Sequence, residues 1–119
     1  MTGKNPIKYR KISDKIFKLE SHSEFLVMVE SSPLVIVDFY ASWCSPCIKM
    51  SQDYDNLAEE LDGKVKFFRV DVNQNMETCE KIKTKSMPSF VIFQKGVQKE
   101  VVETTDISII KTSLEKYYK

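Results

Sequence analysis

Apolar residues in this chain gather in short dense runs separated by charged and polar stretches. The densest is Leu34-Val35-Ile36-Val37-Asp38-Phe39-Tyr40. A β-branched and aromatic run of this kind predicts a central strand buried on both faces, as in a parallel sheet. Val65–Val72 and Ser89–Phe93 predict two further strands, and Ile16, Phe17 and Leu19 a short first one. After the turn signal Lys95-Gly96, Val97–Thr104 predicts a paired edge strand. Between these runs the period becomes helical. Ser21–Glu30 carries a stripe of Phe25, Leu26 and Val29, with Ser21 or Ser23 as cap, and Ser31-Ser32-Pro33 stops it. Ala41–Leu61 spaces Met50, Tyr54, Leu57, Ala58 and Leu61 for burial, and Asp62-Gly63 ends it. A shorter helix is expected around Met76–Ile82. The last is capped by Asp106 and carries Ile107, Ile109, Ile110, Leu114 and Tyr117. The order β-α-β-α-β-α-β-β-α predicts an α/β fold with a mixed sheet, crossovers first and a hairpin last.

Composition narrows the choices. A chain of 119 residues is one domain. Residues 1–12 read as a basic N-terminal arm and residues 13–119 as the domain. Hydrophobic residues at 42% and charged ones at 29% suit a packed core. Eighteen Lys and Arg against seventeen Asp and Glu leave a net charge of +1, which speaks against a nucleic-acid binder. The longest apolar run, Phe25–Val29, is five residues, far short of the roughly twenty of a spanning helix, so no membrane role is expected. No apolar stretch of secretory-signal length interrupts the charged N-terminal twenty residues. Three cysteines are too few for a disulfide scaffold. Together these predict a reducing, cytoplasmic setting.

Two features carry chemistry. Asp38 lies inside the most apolar strand, where a carboxylate is costly without a partner or a task. Cys44 and Cys47 lie where that strand gives way to a helix, within Trp43-Cys44-Ser45-Pro46-Cys47. Cysteines three apart on a helix share a face, so their sulfurs can meet. Free backbone N–H groups and the positive end of the helix dipole favour a thiolate at Cys44. Cys47, one turn further in, is placed to attack a mixed disulfide formed there. Pro46 suits the first turn, where its missing N–H costs nothing. Structural zinc wants four ligands, and only Cys79 and His22 remain, neither with paired spacing. No metal site is therefore expected. A permanent structural disulfide is a further alternative; a redox couple is preferred.

Over roughly residues 13–118 the sequence resembles the thioredoxin family. The resemblance rests on Val35-Ile36-Val37-Asp38-Phe39-Tyr40-Ala41 leading into Trp43-Cys44-Ser45-Pro46-Cys47, on Arg69-Val70-Asp71-Val72-Asn73, on Met87-Pro88-Ser89-Phe90, and on Lys95-Gly96. It implies the thioredoxin fold, a mixed five-stranded sheet flanked by helices on both faces. It implies a thiol-disulfide oxidoreductase, a protein-disulfide reductase working through a Cys44–Cys47 disulfide. The alternative is a redox-independent binding subunit or scaffold on the same fold. By resemblance Asp38 accepts the proton of the second thiol through water, and Trp43 packs against the active-site loop while offering apolar surface to a partner. Pro88 is expected to be cis, with the Met87 backbone free to pair with an extended substrate. Ser45, Pro46 and Thr104 complete the substrate-binding set. No cofactor is expected on the chain itself, with NADPH acting only through thioredoxin reductase. The other partners implied are disulfide-containing client proteins, and the chain is expected to be a monomer.

The chain departs from the family pattern in places. Ser45 stands where most members have Gly, which would shift the reduction potential. Ile48 follows the second cysteine in place of a common Lys. Thr104 replaces a groove-lining Gly and is expected to narrow that groove. Arg69 falls at a basic position near the buried acid, facing either it or solvent. Cys79 reads as buried filler or a regulatory thiol, and His22 as a surface or capping residue.

Overall fold

The computed structural model describes residues 13–118; the N-terminal arm lies outside the described residues. Strands β1 (Ile16–Lys18), β2 (Leu34–Tyr40), β3 (Lys66–Asp71), β4 (Ser89–Gln94) and β5 (Val97–Val102) alternate with helices α1 (His22–Met28), α2 (Ser45–Glu60), α3 (Met76–Ile82) and α4 (Ile107–Tyr118). They form one five-stranded sheet in the order β1-β3-β2-β4-β5. β1 and β2 run parallel to β3, while β4 is antiparallel to both β2 and β5. This is the mixed α/β sheet the alternation of patterns predicts.

The sheet separates two cores, as the alternation of side chains along a strand requires. Leu34 and Ile36 point to one face, where Met50, Tyr54, Leu57 and Ala58 of α2 and Ile110 and Leu114 of α4 cover them. Val35, Val37 and Phe39 point to the other, under Phe25 and Val29 from α1 and its end, with Ile82 of α3. Six of the seven residues of β2 are buried. Asp38 shares the parity of Leu34 and Ile36, so its carboxyl belongs to the α2 face.

The element ends show which local chemistry prevails. Ser21 caps α1, its hydroxyl accepting the Glu24 N–H at 3.1 Å. The β4–β5 turn has positive φ at both Lys95 (52°) and Gly96 (80°), which matches the twist of a tight hairpin. A Cβ at position 96 would lie 2.7 Å from Cγ of the exposed Glu30 side chain, which is free to swing aside, so the demand for Gly is the dihedral one. The long helix expected from Ala41 instead begins at Ser45. Cys44 has extended backbone (φ −89°, ψ 107°), and its N–H donates to Ala41 O at 3.1 Å in a turn. The apolar spacing of that segment did not reveal the break.

Candidate active site

The site is assembled where β2 ends and α2 begins. Cys44 is the N-cap of α2, outside the helix rather than on a face of it, which corrects the expectation of two cysteines on one helical face. The Cys47 N–H donates to Cys44 Sγ at 3.3 Å. The two residues form a disulfide with their Cα atoms 5.3 Å apart. An N-cap side chain ordinarily accepts from the first helical N–H groups. Here the accepting atom is the sulfur, which is how the fold directs helix donors and the helix dipole at it. Pro46 lies in the first turn, as expected.

Both cysteines are buried in a small cluster with Ala41, and Tyr40, Val72 and Met87 pack against it. The Met87–Pro88 peptide bond is cis, and Pro88 is buried. Ser86 is held at both backbone groups: its N–H donates to Glu103 Oε2 at 3.2 Å, and its carbonyl accepts from Ser89 Oγ. Ser45 and Pro46 are exposed beside the disulfide. Trp43 is 67% exposed, presenting apolar surface beside the disulfide, and its indole N–H donates to Asn73 Oδ1 at 2.8 Å. Thr104 is half-buried and engaged locally, its hydroxyl accepting the Asp106 N–H at 3.0 Å.

Beneath this end of the sheet lies Asp38, 5% exposed, with Oδ1 lacking a hydrogen-bond partner among the described residues. Loss of water raises its pKa to about 7; the Arg69 charge opposes the rise and the Asp55 charge adds to it. Arg69 faces the acid's side of the sheet, paired with Asp38 in register and with its guanidinium over the Tyr40 ring. Tyr54, fully buried, donates its hydroxyl towards Phe68 O at 2.9 Å and Ile36 O at 3.3 Å.

A family model described as Thioredoxin matches residues 16–116. The chain belongs to the thioredoxin family. Among similar proteins, Thioredoxin 1 of Plasmodium falciparum is 34% identical over 97 residues, spanning 82% of this chain and 92% of that protein. The thioredoxin of Rickettsia conorii is 34% identical over 89 residues, 75% of this chain and 78% of its own length. A solved structure of Plasmodium falciparum thioredoxin superposes with a TM-score of 0.79 at 33% identity, covering 84% of this chain and 97% of that one. This thioredoxin-family chain is a thiol-disulfide oxidoreductase that reduces protein disulfides through its Cys44–Cys47 couple. Among the described residues no group of His, Cys, Asp and Glu is disposed to hold a metal ion, and no helix is long and apolar enough to cross a membrane.

Sequence reasoning missed two members of this thioredoxin site. Asp55 is a second buried carboxylate whose charge reaches Asp38. Its signal was helical spacing: three residues before the buried Ala58, it falls on the covered side of α2. Tyr54 was read as plain core, yet its hydroxyl joins two strands. His22 is neither a free surface residue nor a cap. Its Nδ1 lies 2.8 Å from Thr78 Oγ1, linking the starts of α1 and α3. Cys79 is half-buried; burial first, then the charges of Asp71 and Glu80, push its thiol up to about 11.

Proposed function

We propose that this chain is a cytoplasmic, monomeric thioredoxin in which Cys44 is the attacking thiol, Cys47 the resolving thiol and Asp38 the proton acceptor. The observation that carries the reading is the helix N–H aimed at Cys44 Sγ. A donor that meets the sulfur in the disulfide is equally placed to stabilise the thiolate after reduction. In the first step the Cys44 thiolate attacks one sulfur of a client disulfide. The other client sulfur departs as thiolate and takes up a proton. In the second, Cys47 passes its proton to Asp38 and attacks Cys44 Sγ. The Cys44–Cys47 bond forms, the bond from Cys44 to the client breaks, and the client has gained two electrons. A carboxyl group poised near 7 can accept and return that proton at neutral pH. Thioredoxin reductase, drawing on NADPH, closes the cycle. Trp43, Ser45, Pro46, Met87, Pro88 and Thr104 supply the client-facing surface around the disulfide.

Insulin reduction by dithiothreitol, followed as turbidity, tests the assignment. Cys44→Ser is expected to abolish acceleration over buffer, and Cys47→Ser to accumulate mixed disulfides with clients. A Cys47→Ser protein that traps nothing, or a Cys44→Ser protein that still turns over, contradicts the roles given.

A further inference from the structure

Tyr40 closes β2 two residues beyond Asp38 and, by strand alternation, on the same face of the sheet. It meets two neighbours. It packs against the cluster of Ala41, Cys44 and Cys47. Its ring also carries the Arg69 guanidinium, whose central carbon lies 4.2 Å from the ring centroid. Arg69 is the register partner of Asp38 on β3. A half-buried arginine on a sheet face has a long, rotatable side chain that solvent would otherwise draw outward. An aromatic face holds a guanidinium by cation–π attraction and planar stacking. The ring that touches the disulfide cluster therefore also decides where the cation beside the buried acid rests.

We propose that Tyr40 is a positioning residue for the second half of the exchange: its ring keeps the Arg69 cation beside Asp38 and so sets the pH at which Asp38 takes the proton of Cys47. The inference rests on the assignment of Asp38 as that acceptor. Among the described residues the charged and titratable groups facing Asp38 are few. From β3 comes Arg69, which favours the carboxylate; from α2 come Asp55, which disfavours it, and Tyr54, whose hydroxyl is directed to backbone carbonyls. Its register partner on β4, Phe90, is apolar. With burial and Asp55 both pressing Asp38 towards its neutral form, moving Arg69 outward leaves that pressure unopposed. Asp38 would then hold its proton to higher pH and accept one from Cys47 less readily at neutrality.

Carboxyl-carbon NMR titration of Asp38 in the oxidised protein reads this directly, in the unaltered chain and in Tyr40→Phe, Tyr40→Leu, Arg69→Gln and the Tyr40→Leu/Arg69→Gln pair. Tyr40→Phe keeps the ring face and should titrate as the parent does. Tyr40→Leu should raise the Asp38 midpoint by at least about half a pH unit, in the same direction as Arg69→Gln, because the stabilising positive charge leaves with the guanidinium. The double variant should rise no further than Arg69→Gln alone. Mixed-disulfide resolution in Tyr40→Leu should shift to higher pH by a like amount. A midpoint unmoved in Tyr40→Leu, or effects that add in the double variant, overturns the proposal. Should Tyr40→Leu fail to fold, the parent protein still decides: the Arg69 Hε resonance should be displaced upfield by the ring, and an undisplaced one refutes the contact. Failure of the underlying assignment is distinguishable, because Asp38→Asn would then resolve mixed disulfides with the parent's pH profile whatever the titrations show.

Discussion

Asp38 and Cys79 are both shifted upward chiefly by loss of water, to about 7 and about 11. The same cause has opposite consequences because the two groups start from different values. The shift brings a carboxyl into the range where protons are traded at neutrality, and takes a thiol out of it. Asp71 and Glu80 add to the effect at Cys79, so a thiolate there is disfavoured. Cys79 is therefore expected to react with iodoacetamide at pH 7.5 on the order of a hundredfold more slowly than a free thiol, since the thiolate is the reacting species. Peptide mass mapping against time measures this, and labelling at the rate of glutathione would contradict it. That single rate separates the two readings of Cys79 the sequence left open, filler and regulatory thiol.

Among the elements, α2 and α3 show how ends rather than middles determine the site. The apolar stripe of α2 was legible, but its start was not. The stripe says which residues face the core and is silent on where φ and ψ leave the helix. Cys44 becomes a cap because its extended backbone lets its sulfur receive the Cys47 N–H. α3 shows the complementary problem at a C-terminus. Lys83 caps it in the left-handed region (φ 64°, ψ 44°), where a side chain is strained and glycine is not. Lys83→Gly should therefore stabilise the protein by about 0.5–1 kcal/mol, the net of about 1–2 kcal/mol of relieved strain and the larger unfolded-state entropy of glycine. Urea unfolding should show a higher midpoint at unchanged slope, and a lower midpoint would mean that the Lys83 side chain makes contacts that outweigh the strain.

For the molecule as a whole, the buried acid makes folding stability depend on pH. The folded-state value of Asp38, about 7, lies above its ordinary 3.8, so between these values the folded protein binds the proton that the unfolded chain releases. The contribution of Asp38 to stability is accordingly full below about pH 4 and is lost as pH rises through the window to 7. The loss is of order 4 kcal/mol if the shift is expressed in full. Asp38→Asn should flatten that slope in denaturant titrations of the oxidised protein from pH 4 to 8. A parent protein whose stability does not decline over that range would contradict the buried, raised acid. Much of this chain was determined by its sequence alone. Runs such as Leu34–Tyr40 and the spacing of Met50, Tyr54 and Leu57 depend on neighbours close in the chain, so period and turn residues suffice to set element type and order. The cysteine pair was legible for the same reason, being three residues apart. What only the tertiary structure decided is the company Asp38 keeps. Its meeting with Arg69, and Arg69 with Tyr40, follows from the parallel register of β2 on β3. The approach of Tyr54 and Asp55 follows from how α2 lies across that face. Register and helix placement come from packing between segments distant in sequence, and no local pattern encodes them.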